Sequence, residues 1–196
     1  MSRLRVAPDV VAACSAVLSE SERQRALRFK LDRDRSRFIV ARARLRQILA
    51  AKLGVNAGEI ELSNGENGKP HLAGRFAASP IRFNVSHCED IAVFAFCDGA
   101  EVGVDVEAVR PMIDVDEIAA RVFSPRETES LRSLDGDSRI RGFFERWTRK
   151  EAFIKAVGDG FSYALDRFDV DDARGWRVQS FSPAPGFVGA VVTQQS

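Results

Sequence analysis

The chain has 196 residues, 45% of them hydrophobic and 29% charged, and a formal net charge of +1. That is the make-up of an ordinary globular protein, and it excludes collagen-like, disordered and disulfide-scaffold classes. No apolar run approaches the roughly 18 residues that a bilayer span needs, and the three cysteines (Cys14, Cys88, Cys97) have no zinc or redox spacing. A cytoplasmic protein with reduced thiols is expected, with no overall field drawing it to nucleic acid or membrane.

The charge is uneven along the chain. Glu22 to Lys52 holds eleven Lys and Arg against three acids, whereas Asp98 to Asp137 holds eleven acids against four basic residues. A basic front and an acidic middle suit a site in which one wall meets phosphates and the other holds a cation.

In chain order, Arg3 to Val6 reads as a short strand. Ser19-Glu20-Ser21-Glu22 is a capping box that opens a short helix running to about Phe29. Arg33 to Leu53 carries an apolar stripe of Phe38, Ala41, Leu45, Ile48 and Leu49 and is a helix ended by Gly54. Most of its arginines read as a solvated face. Glu59 to Leu62 alternates like a strand, and residues 64–70 form a turn-rich loop. Ile81 to Ser86 and Ile91 to Cys97 are strands. Asp98-Gly99 suits a tight turn into a strand over 101–107, so the last two strands are expected to pair as a hairpin. Ser124-Pro125-Arg126-Glu127 caps a helix to about Leu134, residues 134–138 form a loop, and Gly142 to Val157 is a second long helix stopped by Gly158. Residues 168–170, 176–181 and 187–192 look like closing strands. Strands mixed with a few helices in this order imply an α+β fold.

Two segments carry chemistry. In Val102-Gly103-Val104-Asp105-Val106-Glu107, strand alternation puts Asp105 and Glu107 on one face. Their Cα atoms would lie roughly 6–7 Å apart, within reach of one hard cation. In Trp147-Thr148-Arg149-Lys150-Glu151-Ala152-Phe153-Ile154-Lys155, the helical period puts Glu151 and Lys155 one turn apart on one side. Three carboxylates and a lysine suit Mg²⁺-assisted chemistry on a phosphate. Each motif also fits a plain role, the first as the wet face of an antiparallel sheet and the second as a surface ion pair.

Taken with Gly68-Lys69-Pro70, Phe83-Asn84-Val85-Ser86-His87 and Phe123-Ser124-x-x-Glu127, these segments resemble, in order and spacing over about residues 20–170, the 4′-phosphopantetheinyl transferases. The nearest resemblance is to the surfactin-synthetase-activating type. It implies two similar α+β halves, 1–100 and 101–196, related by a pseudo-twofold, with the substrate cleft between them and one cooperative folding unit. It implies transfer of the phosphopantetheine arm of coenzyme A to a serine of an apo acyl or peptidyl carrier protein, with Mg²⁺, releasing 3′,5′-ADP. By resemblance, Asp105, Glu107 and Glu151 hold the metal, and Glu151, Lys155 and Lys150 act in catalysis, with Glu151 the candidate base. Arg25, Arg28, Lys69, Pro70, Ser86, His87 and Lys155 would meet coenzyme A. Glu22 stands where the type member has a lysine, so either Arg25, Arg28 or Arg37 carries more of the phosphate contact or binding there is weaker. Glu127 matches an acidic family position but is read as a helix cap, and Trp147 as packing. A monomer is expected. A Mg²⁺-dependent phosphodiesterase or nuclease would use the same carboxylates. A non-catalytic carrier-binding module would need few of them.

Overall fold

The computed structural model describes residues 1–65, 67–158 and 164–195. Glu66, within the expected 64–70 loop, lies outside them. The fold is α+β, and among the described residues the strands form three sheets: β1 (Ser2–Arg3), β5 (Ile91–Asp98) and β4 (Ile81–Cys88) in the order β1-β5-β4, the pair β2 (Leu62–Asn64) and β3 (Pro70–Leu72), and β6 (Val102–Ala108), β8 (Phe187–Gln194) and β7 (Trp176–Phe181) in the order β6-β8-β7. By internal contact the chain divides into two compact units. The first comprises Met1–Ser63, Leu72–Ser79 and Asp90–Ala92, and the second the remainder.

The first unit is built on three helices, α1 (Pro8–Ala16), α2 (Glu20–Leu27) and α3 (Asp32–Leu53). Helix α1 was not expected from the sequence. Its start carries no side-chain cap, only Pro8 in the first turn, and its apolar periodicity is weak. The capping box of α2 forms as expected: Ser19 Oγ accepts the Glu22 N–H and Glu22 Oε2 accepts the Ser19 N–H at 2.8 Å. Such a cap is worth about 1 kcal/mol. Helix α3 ends at Gly54, which takes the left-handed conformation at φ 69°. Val40, Ala43, Leu45 and Leu49 of α3 are fully buried or nearly so. Its arginines divide: Arg44 is paired at the surface with Gln47, whereas Arg46 is 1% exposed and meets Glu22 at 2.7 Å. Strand β1 (Ser2–Arg3) pairs antiparallel with Ile91 and Ala92.

Strand β4 (Ile81–Cys88) and the Val93–Asp98 stretch of β5 (Ile91–Asp98) belong to the second unit; the two strands are neighbours joined through Glu89 and Asp90, with Glu89 at φ 50°. The expected β5–β6 hairpin does not form. Gly99 does turn, at φ 72°, but its N–H bonds Pro80 O. Strand β6 (Val102–Ala108) pairs instead with β8 (Phe187–Gln194), as does β7 (Trp176–Phe181), both antiparallel. The turn chemistry was read correctly, while pairing was decided by a segment some 90 residues away. Helix α4 (Val115–Val122) was unexpected. Helix α5 (Pro125–Arg132) has the expected capping box and first-turn proline. Helix α6 (Gly136–Val157) starts earlier than expected and ends at Gly158 in the left-handed region. Residues 168–170 are not a strand; 3-10 turns occupy 165–167 and 170–172.

Helix α6 lies on β6. A Cβ added to Gly103 would sit 2.0 Å from Ala152 O and 2.4 Å from Ala156 N, so helix and strand backbones touch where the side chain is missing. One cluster (Phe123, Leu131, Phe143, Phe144, Val188) packs α4, α5 and α6 onto one end of β8. A second (Ala152, Phe153, Ala156, Val170, Ala190, Val192) packs the end of α6 against the same strand. Among the described residues no helix is long and apolar enough to cross a membrane.

Candidate active site

Strand β6 is buried along nearly its whole length, so Asp105 is not on a solvated face. It is 4% exposed. Its Oδ1 accepts the Ser86 hydroxyl at 2.8 Å and the Lys155 ammonium at 2.5 Å, and Lys155 Nζ also reaches Ser86 Oγ at 3.3 Å. Asp105 Oδ2 is buried with no hydrogen-bond partner. A bare carboxylate oxygen in the interior is costly unless something positive joins it. Glu107, two residues on, is partly exposed; its Oε2 accepts Cys88 Sγ–H at 3.6 Å and Arg110 Nη1 at 3.4 Å. Burial pushes the Glu151 carboxyl above its ordinary range. Lys155 opposes that shift, while Asp105 and Glu107 add to it. These three carboxylates therefore share one electrostatic neighbourhood.

Glu151 and Lys155 also line a cavity of about 250 Å³ with Asn67, Gly68, Lys69, Pro70, Asn84, Val85, Ile154 and Gly158. The expected nucleotide residues Lys69 and Pro70 are thus in its wall. Lys69 Nζ is occupied by Glu101 at 2.9 Å and Val102 O at 3.2 Å, and Asn67 Nδ2 bonds Gly158 O at 2.7 Å. The loop is pinned to the start of β6 and the end of α6. Asn67, Asn84, Val85, Ile154 and Gly158 were not singled out from the sequence. Asn84 and Val85 lay inside the quoted Asn-x-Ser-His segment, and Ile154 sits one residue before Lys155.

The remaining candidates lie elsewhere. Alternation on β4 puts His87 opposite Ser86, and it is exposed. Arg25 and Arg28 are exposed residues of the first unit, Arg25 with its guanidinium 5.3 Å from the Phe38 ring centre. Glu22 is committed to its cap and to Arg46, with Arg42 at 3.5 Å, so it is a structural acid. Lys150 does not line the cavity. It is 0% exposed, pairs with Glu127 at 2.7 Å, bonds Leu165 O and Phe168 O, and stands 4.3 Å from the Phe168 ring centre. Burial pulls its ammonium below the ordinary lysine range, and Glu127 draws it back.

Among the described residues no three His, Cys, Asp or Glu side chains form a ready metal cage. The donor set nonetheless fits a hard cation. The bare Oδ2 of Asp105 is an oxygen ligand without a partner, Glu107 and Glu151 are near, and the Lys155 ammonium already shows that the position favours positive charge.

Comparisons with known proteins bear on the family. A model described as the 4′-phosphopantetheinyl transferase superfamily matches residues 101–188, and one described as the 4′-phosphopantetheinyl transferase N-terminal region matches residues 7–98. The protein slr0495 of Synechocystis sp., provisionally named a 4′-phosphopantetheinyl transferase, is 33% identical over 184 residues, covering 87% of this chain and 74% of its own. This chain belongs to the 4′-phosphopantetheinyl transferase superfamily. Two further relatives are 4′-phosphopantetheinyl transferases. HetI of Nostoc sp. is 43% identical over 148 residues, covering 76% of this chain. Sfp of Bacillus subtilis is 32% identical over 153 residues, covering 78%. The chain spans 62% of the length of HetI and 66% of Sfp. A solved holo-(acyl-carrier-protein) synthase of Bacillus anthracis, in complex with CoA (3′,5′-ADP), overlays at a TM-score of 0.40 and 22% identity, covering 49% of this chain and 96% of that one. Within the superfamily frame, both long helices and the Asp105–Lys155 contact fall in matched segments, 7–98 for α3 and 101–188 for the rest.

Proposed function

We propose that this chain transfers the 4′-phosphopantetheine arm of coenzyme A to the serine of an apo acyl or peptidyl carrier protein, with Mg²⁺, releasing 3′,5′-ADP. The observation that carries the proposal is Asp105: one oxygen held by Ser86 and Lys155, the other buried and bare, beside a cavity walled by Glu151 and Lys155. Superfamily membership supports the reaction class.

In this reading Asp105, Glu107 and Glu151 would hold Mg²⁺, which would neutralise charge on the diphosphate of coenzyme A. The carrier serine oxygen attacks the phosphorus nearer the pantetheine. The bond from that phosphorus to the bridging oxygen breaks, and 3′,5′-ADP leaves with the electron pair. Glu151 takes the serine proton. Lys155, whose side chain is 31% exposed and lines the cavity, stabilises the leaving phosphate. The Lys69–Pro70 wall seats the nucleotide, and His87, Arg25 and Arg28 are assigned to coenzyme A phosphates. We assign Lys150 to the interior. The division into halves near residue 100, a monomeric state, a cytoplasmic setting and the lack of nucleic-acid or membrane partners belong to the same proposal.

The test is incubation with coenzyme A, Mg²⁺ and a panel of apo carrier proteins, each shown to be modifiable by another enzyme, read by intact mass. A gain of one phosphopantetheine arm is expected. No gain on any carrier overturns the proposal.

A further inference from the structure

Among the described residues, strand β6 lies at an edge of its sheet, with β8 on one side only. An edge strand leaves a row of backbone groups unpaired and is free to bend unless something covers it. Here the cover is made of side chains. Asn84 Oδ1 accepts the Val104 N–H at 3.0 Å, and Cys88 Sγ accepts the Ala108 N–H at 3.3 Å. Both steps are four residues, 84 to 88 and 104 to 108, so the two strands advance together in one direction. Asn84, Ser86 and Cys88 alternate onto one face of β4.

Between these two backbone ties, the same face reaches the two strand carboxylates. Ser86 Oγ donates to Asp105 Oδ1 at 2.8 Å, and the Cys88 thiol donates to Glu107 Oε2 at 3.6 Å. Each acid is nineteen residues after its donor. Each is held by one oxygen, and for Asp105 the other is left bare.

We propose that β4 is the positioning strand of the carboxylate pair: Ser86 orients Asp105 and Cys88 orients Glu107, with Asn84 setting the register. This rests on the reading that the pair holds a divalent cation. Cys88 is then a positioning residue, not an idle buried thiol.

The experiment is Mn²⁺ titration of the full chain by electron paramagnetic resonance, with melting in chelator as the check on folding. Cys88→Ala should weaken Mn²⁺ binding about tenfold, the usual cost of losing a group that orients a ligand, and Cys88→Ser, which keeps a donor and an acceptor, should restore it. Ser86→Ala should weaken it by a similar factor and serves where Cys88→Ala melts early. Wild-type affinity in both alanine variants overturns the positioning role alone. Equal loss in Cys88→Ser and Cys88→Ala also overturns it, since shape rather than hydrogen bonding would then matter. Failure of the wild-type chain to bind Mn²⁺ overturns the metal reading and the positioning role together.

Discussion

Helix α6 carries two lysines five residues apart, and its two sides treat them in opposite ways. Lys150 is sealed in, with a carboxylate, two carbonyls and an aromatic face around its ammonium. Lys155 is partly open, shares Asp105 Oδ1 with Ser86, and faces a cavity. A fully satisfied buried pair is insurance against misfolding; it has no spare capacity for a substrate. A pair that leaves one carboxylate oxygen bare has capacity to spare. The same contrast separates Glu127, which serves a helix cap and Lys150 at once, from Glu151, which lines the cavity.

The contrast can be broken most sharply at Lys150. Lys150→Met should cost about 3–5 kcal/mol, because it strands the Glu127 charge in the interior. Chemical denaturation reads this directly, while KM for coenzyme A in the folded fraction stays unchanged. Next, Lys155→Ala should lower kcat by roughly 10²-fold, the scale for losing one group that stabilises developing charge, and it should also lower the melting temperature, because only Ser86 then remains on buried Asp105. An effect confined to KM would remove Lys155 from leaving-group stabilisation. The smallest effect concerns Glu151. Its carboxyl holds a proton more tightly folded than unfolded, so its contribution is present at acid pH and is lost as pH rises through the folded pKa. In chelator, Glu151→Gln should therefore melt on the order of 1–2 °C above wild type at neutral pH, with the gap closing toward pH 4. A gap that widens on acidification would reverse the sign of the assigned shift.

The elements with strong local signals were legible. The capping boxes at Ser19 and Ser124, the stops at Gly54 and Gly158, and the Asp105–Glu107 face all followed from residue chemistry. Helices α1 and α4 were missed because they are short, nine and eight residues, and have no side-chain cap to mark their starts, whereas the uncapped α3 and α6 run for 22 residues each. The β5–β6 hairpin failed because β6 prefers a partner from the far end of the chain, a choice no local pattern encodes. Within the site, Lys155 and Asp105 were named but their direct contact was not, since it depends on how closely α6 settles on β6. Lys150 was misread for the reason that makes α6 instructive: a one-residue difference in helical phase carries a side chain out of the cavity and into the core. Cys88 was hidden because its value lies in alternation with Ser86, not in thiol chemistry.

Gly103 sets the spacing on which the rest depends. Because nothing projects from its Cα, α6 and β6 meet backbone to backbone, and Lys155 reaches Asp105 without stretching. The dimension that matters here is therefore written by an absence. A protein engineer seeking a roomier pocket can redraw the Asn67–Pro70 loop or Val85 and Ile154, but randomising position 103 should return glycine, whatever substrate is selected for.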